Sequence, residues 1–155
     1  MPNRMLATGV VFAGVLAIAV LLPRAVAAEE VARIKVVKGT VSVDREGSPV
    51  PATVGMALQE GDVVKTGKDG AVGITFKDDS LLSAGPGSTL AIDRFKFNPT
   101  THAGSFDTTL RSGTLAVASG KIARQSPDAM RVRTPSTVLG VRGTEFVVRA
   151  AAVTP

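Results

Sequence analysis

The chain has 155 residues, a formal net charge of +5, one histidine and no cysteine, tryptophan or tyrosine. This length allows one domain. Without residues 1–28, which contain Arg4 and Arg24, the net charge is +3, too weak a bias to predict nucleic acid as a partner. Without cysteine there are no disulfides and no site for lipid attachment, and a single histidine cannot supply an ordinary zinc site. No cofactor or metal is therefore expected.

The first predicted element is a targeting segment, residues 1–28. Arg4 precedes an uncharged, mostly apolar run at 5–22, and small residues follow at 25–28. A positive start, an apolar middle and an A-x-A-like end are typical of a secretory signal peptide, so we expect cleavage after Ala27 or Ala28. The run also approaches the roughly 18 residues of a spanning helix, so an uncleaved membrane anchor is the alternative.

Residues 31–150 are predicted to form an all-β domain, with a short tail at 151–155. Short apolar runs of alternating character are separated by Gly, Pro, Asp and Ser, and no stretch shows helical periodicity. We expect about ten to twelve short strands after the signal-peptide helix. They would form either a compact twisted β-sandwich or a short solenoid-like stack.

Alternation predicts which side chains each strand buries. In VARIKVV, Ala32, Ile34 and Val36 share one face and the basic residues share the other. The apolar parity of TLAIDRFKF switches near Asp93, where a bulge is expected. Three later strands are assigned inward positions in the same way: Phe106, Thr108 and Leu110; Leu115 and Val117; Met130 and Val132, with Arg131 and Arg133 opposite.

Turn signals separate these strands. Asp69-Gly70 is expected to form a tight hairpin between VVKT and AVGITF. Residues 98–104, NPTTHAG, are expected to form an exposed loop. The remaining turn signals are Glu46-Gly47-Ser48-Pro49, Asp78-Asp79, Gly85-Pro86-Gly87, Ser112-Gly113 and Ser119-Gly120.

The residues that could carry catalysis are few. His102 lies in the 98–104 loop, where a surface histidine is the simplest interpretation, and no serine lies in the strained elbow that a Ser-His-Asp site needs. Asp78-Asp79 lacks the alternating oxygen ligands of a calcium loop. The sequence therefore predicts a protein that is not an enzyme.

Four motifs occur in an order and spacing that resemble the FecR domain family over about residues 35–150. They are Gly39-Thr40-Val41-Ser42-Val43, the segment 55–67, Phe76-Lys77-Asp78-Asp79-Ser80, and Thr134-Pro135 followed by VRGTEFVV at 141–148. FecR domains typically occupy the periplasmic part of regulators that signal to a cytoplasmic anti-sigma segment. Only a signal-like segment precedes the domain here, so the resemblance implies a stand-alone exported FecR domain, periplasmic or secreted.

The last motif supplies the candidate site residues: Thr134, Pro135, Gly140, Arg142, Gly143 and Thr144. The two glycines are expected to permit bends or close backbone approach, and Thr134-Pro135 to set an extended entry. The guanidinium of Arg142 then either binds backbone carbonyls or a carboxylate and pins the last strand to the sheet, or is displayed to a partner.

The expected function is that of a binding, scaffolding or signal-sensing module that recognises another envelope protein, with strand edges available for β-augmentation. Contact with a membrane is expected only through an uncleaved N-terminal segment. The alternative is a small-ligand or envelope-polymer binder. A pocket lined by Arg131, Arg133 and Arg142 would favour that alternative, whereas a flat face or an exposed edge would favour a protein partner.

Overall fold

The computed structural model describes residue 23 and residues 25–152. The apolar run of the predicted signal peptide lies outside the described residues, as does the end of the predicted tail. Within the described part, no helix has the length and apolar character needed to cross a membrane.

The all-β prediction is confirmed, because the described residues form twelve strands and one short helix. The helix α1, Lys121–Gln125, was not predicted, since five residues are too few to show a helical period. The strands are β1 Glu30–Lys38, β2 Val41–Arg45, β3 Ser48–Pro51, β4 Ala57–Gln59, β5 Val63–Thr66, β6 Ala71–Phe76, β7 Leu81–Ala84, β8 Thr89–Phe97, β9 Gly104–Ala118, β10 Met130–Arg133, β11 Val138–Val141 and β12 Glu145–Ala150.

The strands form one curled sheet with two halves that share β9. The first half-sheet has the order β4-β1-β6-β7-β9-β12, and the second has the order β3-β2-β5-β8-β9-β10-β11. Neighbouring strands are antiparallel except β9 and β10, which are parallel. Residues 104–112 of β9 pair within the second half-sheet, and residues 113–118 pair with β7 and β12 in the first.

The bend in β9 lies at Gly113, whose φ is +94°. A turn was predicted at Ser112-Gly113, and this is wrong: the strand runs through the position without ending. The register against β8 shifts beside Ser112, so inward positions change from even to odd residue numbers. This bulge is what carries the chain from one half-sheet to the other.

The two halves pack face to face on a common core. Phe76 of the first half-sheet contacts two rings of the second, with ring centroids 5.4 Å from Phe95 and 4.4 Å from Phe106. The inward positions predicted for β9 and β10 are all buried. The packing is therefore that of the sandwich alternative, in a sheet that is curled rather than split in two.

Two local predictions about the strands differ from the structure. Val36 was assigned to the buried face of β1 but is 46% exposed, because a register shift between Ile34 and Val36 reverses the parity. Asp69-Gly70 does not close a hairpin: β5 pairs with β2 and β8, whereas β6 pairs with β1 and β7. The connection between β5 and β6 crosses from the second half-sheet to the first. The residues of the turn alone do not predict such a crossing.

Other local predictions are confirmed. The bulge near Asp93 appears as a register shift between Ile92 and Arg94. Glu46-Gly47 closes the β2–β3 hairpin, and Asp78-Asp79 lies in the turn between β6 and β7. Residues 98–103 form a largely exposed loop before β9.

Candidate functional site

Thr134 and Pro135 form the turn between β10 and β11, not the extended entry that was predicted. Thr134 N–H donates to the carbonyl of Thr137 at 2.9 Å, and the Thr134 Oγ1 accepts from the backbone N–H of Thr137 at 3.2 Å. Pro135 holds the second position of this turn, where its fixed φ is favourable. The Thr-Pro pair therefore reverses the chain into β11.

Gly140 lies on the outward side of β11, opposite Arg131 of β10. A Cβ at Gly140 would stand 2.6 Å from Oδ1 of Asp128, a residue in the connection between α1 and β10 with a φ of +68°. The other oxygen of this carboxylate, Oδ2, is 3.6 Å from Nη2 of Arg142. The glycine thus leaves room for a carboxylate that pairs with Arg142.

Gly143 and Thr144 lead the chain from the second half-sheet to the first. Gly143 has a φ of +75°, and the carbonyl of Thr144 accepts hydrogen bonds from the N–H of Ser119 at 3.3 Å and from its Oγ at 3.2 Å. These contacts align β12 with the end of β9. The two glycines of the motif therefore have separate roles, one in accommodating a side chain and one in a left-handed bend.

Arg142 itself is an exposed residue. Its side chain is 73% accessible and that of Asp128 is 57% accessible, so the ion pair between them is worth little to stability. The carboxylate partner belongs to the connection before β10 and not to the last strand. Arg131 and Arg133 project from the outward face of β10, and none of five surface grooves in the described part is lined by any of these three arginines.

Two strand edges are left open where the sheet curls. Within the described residues, β11 pairs only with β10 and β12 pairs only with β9. A cleft lies between them, lined by Leu139 and Val141 on one side and by Phe146 and Val147 on the other. Val138 of β11 and Val147 of β12 are 60% and 63% exposed.

The outward side of the first half-sheet carries a row of uncharged residues from one edge region to the other. The cross-strand partners are Val36, Gly73, Ser83, Ala116 and Val147. At the normal strand spacing this row is about 19 Å wide. Leu81 stands beside Ser83 along β7 and is 49% exposed, and a shallow groove crosses these strands. We refer to Val36, Gly73, Leu81, Ser83, Ala116 and Val147 as the uncharged face.

The sequence interpretation did not identify this face. Its signal was nevertheless present, because the positions opposite the buried residues of β6, β7 and the end of β9 contain no charged side chain. The sequence interpretation used alternation only to find the buried residues of each strand and did not compare the charges of the outward residues between strands.

The outward side of the second half-sheet is rich in charge. Arg133 Nη2 lies 3.9 Å from Oδ1 of Asp107, and Thr109 Oγ1 donates to Oδ2 of Asp93 at 2.6 Å. Further charged residues on this side include Lys65, Arg94, Lys96, Arg111 and Arg131. Such a charged surface is well hydrated, and removing its water on binding costs free energy.

The buried ionisable groups are held in structural contacts. The Asp62 carboxylate, with a side chain 2% accessible, accepts from Arg45 Nε at 2.8 Å and Nη2 at 2.6 Å, and this hydrogen bonding raises the pKa of Arg45. Asp78 accepts from Ser80 Oγ at 2.8 Å and from Ile122 N–H at 3.3 Å, which fixes the β6–β7 turn against α1.

His102 lies against Phe97 with the ring centroids 6.1 Å apart, in the loop before β9. In the part of the chain that the structure describes, no group of three or more histidine and acidic residues is placed to hold a metal ion.

Comparison with known proteins gives one family. The model of the family described as FecR protein matches residues 62–154, which is more than half of the chain. The match begins just before β5, so the earlier motif at Gly39–Val43 lies outside it. No curated protein and no solved structure matches the chain.

Proposed function

The chain belongs to the FecR protein family, and from this premise we propose that it is a non-enzymatic module that binds another protein of the cell envelope through the uncharged face. Membership of this family suggests a role related to the envelope or to signal transduction. The proposal adds a mode of action to that general role: recognition by a preformed surface, in a chain exported to the periplasm or beyond.

The observation that carries the proposal is the exposure of this uncharged sheet face. Val36, Leu81 and Val147 are each about half exposed or more, and Ser83 and Ala116 between them are exposed as well. Burying such side chains removes apolar area from water and leaves no charge to desolvate. Small residues in the middle of the row give low relief, which suits a flat protein surface better than a compact ligand.

The arrangement of charges supports a protein partner over a small ligand. Glu145 and Arg149 stand at the β12 end of the face. Arg33, Lys35 and Lys38 are the exposed basic residues of β1 at the opposite end. A partner with uncharged residues at its centre and charged residues at its rim would complement this pattern, which is the usual anatomy of a protein interface. A ligand-binding pocket would instead need convergent polar groups around a concavity.

Site-specific photo-crosslinking in cells tests the proposal. A photoreactive amino acid would replace Ser83 on the uncharged face, and in a matched strain it would replace Thr109 on the charged side of the second half-sheet. Captured proteins and the N-terminus of the chain itself would be identified by mass spectrometry. We expect a specific envelope protein from position 83 and none from position 109, on a chain that begins near Ala28 or Glu29.

A charge substitution separates binding from folding in the same experiment. Ala116→Glu places a carboxylate at the centre of the uncharged face, whereas Thr109→Glu places one opposite Arg133. Both positions are on outward sides of strands, so both variants should fold. Ala116→Glu should change the free energy of unfolding by no more than about 0.5 kcal/mol, and Thr109→Glu should cost about 1 kcal/mol because it loses the hydrogen bond to Asp93. Loss of the captured partner with Ala116→Glu alone is expected; equal capture by both variants, or capture only from position 109, would refute the proposed face.

A further inference from the structure

The edge strand β12 offers unpaired backbone groups at alternate residues. The N–H of Ser119 donates to the carbonyl of Thr144, so this opposed pair is hydrogen-bonded. Antiparallel ladders alternate between hydrogen-bonded and non-bonded pairs, so Phe146 and Val148 direct their backbone groups to β9. The N–H and C=O groups of Glu145, Val147 and Arg149 therefore point away from β9.

These free groups open onto the cleft between β11 and β12. Within residues 25–152, no strand pairs with this edge and no further hydrogen bond reaches the backbone of Glu145, Val147 or Arg149. A row of unpaired N–H and C=O groups is a template for another strand, and proteins usually protect such rows. Among the residues that the structure describes, no proline, bulge or covering segment protects this edge.

The charges on the outward side of β12 are arranged so that a second, antiparallel copy of the strand would place opposite charges next to each other. Glu145 and Arg149 lie two residues on either side of Val147, all three are exposed, and neither charged residue has an ion-pair partner in the described part of the chain. An antiparallel second copy of β12, centred on Val147, places each Glu145 opposite Arg149 of the other strand. Opposed charges of this kind stabilise neighbouring strands.

The backbone and the side chains require the same register. Pairing centred on Val147 joins Glu145, Val147 and Arg149 to the same three residues of the other copy, and these are the residues with free backbone groups. In-register parallel pairing would instead place like charges beside each other. We therefore infer that a second copy of this chain binds at the β12 edge in antiparallel orientation, with about six backbone hydrogen bonds and two symmetric Glu145–Arg149 ion pairs.

The dimer would extend the first half-sheet across both copies. Val147 lies opposite Ala116 in the register of β9 and β12, and on the dyad it would meet Val147 of the other copy. The row of the uncharged face would then run without interruption from one copy into the next. The contact is small, so a concentration-dependent equilibrium is expected rather than an obligate dimer. It does not depend on the envelope partner proposed above.

Charge reversal provides the test, with sedimentation velocity on the purified chain over a concentration series up to about 1 mM. Glu145→Arg and Arg149→Glu should each weaken self-association by about tenfold or more, because two attractive pairs become repulsive in each dimer. An equimolar mixture of the two variants should form a heterodimer, because every opposed pair is then complementary again. The double variant Glu145→Arg/Arg149→Glu should associate like the unmodified chain.

Two further variants keep the test specific to this edge. Val147→Pro removes an N–H that faces away from β9, so it should abolish association while the fold is retained, as its circular dichroism and sedimentation coefficient would report. Arg133→Glu, a matched reversal on the charged side, should leave association unchanged. The inference is overturned if the unmodified chain stays monomeric throughout the series, or if the single-reversal variants associate as well as it does.

Discussion

The outward sides of the two half-sheets differ in the kind of surface they present, although one strand contributes to both. On the second half-sheet, β9 displays Asp107, Thr109 and Arg111; on the first it displays Thr114, Ala116 and Ala118. Burial alternates along β9 on both sides of the bend, so burial does not account for the difference in charge. The contrast shows that the outward positions of this fold can differ in charge while the buried positions keep one pattern. The charged side stays hydrated, and the uncharged side is the one for which we propose a partner.

The largest expected effect comes from a substitution at Gly113, where β9 bends from the second half-sheet into the first. Gly113→Ala puts a Cβ 2.5 Å from the Cα of Ser88 at a φ of +94°, and the atom it meets is backbone that has little freedom to move. We expect a loss of at least about 3 kcal/mol in the free energy of unfolding, measured by urea denaturation.

Gly87→Ala is the matched control for the junction. Gly87 also has a positive φ, +65°, but a Cβ there would meet nothing within 4 Å. The conformational cost alone should be about 1 kcal/mol. Equal losses in the two variants would contradict the view that close packing at the bend of β9 holds the half-sheets together.

Much of each half-sheet could be predicted from the sequence, because its strands obey a local rule. Alternation identifies Phe106, Leu115 and Met130 as inward residues without knowledge of their neighbours. The sequence even contains the change of parity between Leu110 and Leu115, but Ser112-Gly113 has the composition of a turn and was assigned as one. Whether a glycine ends a strand or bends it depends on contacts with distant residues, here Ser88.

The candidate site was predicted only in part for the same reason. The roles of Gly140 and Gly143 in close approach and bending follow from the absence of a Cβ. That the close approach involves Asp128 depends on α1, which was not predicted. The uncharged face depends on the strand order β1-β6-β7-β9-β12, which brings residues from across the chain into one row. The alternation within each strand does not predict the order in which the strands pair.

A second prediction distinguishes charge inside the second half-sheet from charge on its surface. Asp62→Asn removes one acceptor oxygen from a nearly buried carboxylate that binds Arg45 and the backbone N–H of Gln59. Since Arg45 is partly exposed, the expected loss is about 2 kcal/mol in the free energy of unfolding. Asp107→Asn, beside Arg133 at 3.9 Å, should cost no more than about 0.5 kcal/mol. Thermal denaturation of both variants in one buffer would compare them, and a larger loss for Asp107→Asn would reverse this assignment of roles.

A third prediction concerns Arg142 at the end of β11. Because its pair with Asp128 is exposed on both sides, Arg142→Ala should change the free energy of unfolding by less than about 0.5 kcal/mol. Gly140→Ala should be similarly mild, since the Asp128 carboxylate that the new methyl group meets is free to rotate away. Urea denaturation checks both. A loss above 2 kcal/mol for Arg142→Ala would restore the hypothesis that this arginine pins the last strand.

The smallest expected effect lies at one end of the first half-sheet, in the β6–β7 turn. Asp79 Oδ2 is 2.7 Å from Lys121 Nζ, and the hydrogen bond and charge of Lys121 lower the pKa of Asp79. A lowered folded-state pKa means that the pair stabilises the fold above the unfolded pKa of about 3.9, and that this contribution is lost as the pH falls through the folded value.

Asp79→Asn isolates this contribution, because asparagine tolerates the positive φ of +66° at the turn while removing the charge. At pH 7 the variant should be less stable than the unmodified chain by no more than a few tenths of a kcal/mol, since both partners are exposed and solvent screens the pair. The difference should shrink as the pH falls below about 3.9 and vanish below the lowered folded-state pKa of Asp79, where this carboxyl is protonated in both states. A difference that persists at pH 2 in a thermal-unfolding series would mean that the aspartate supports the turn through its shape and hydrogen bonds, not through its charge.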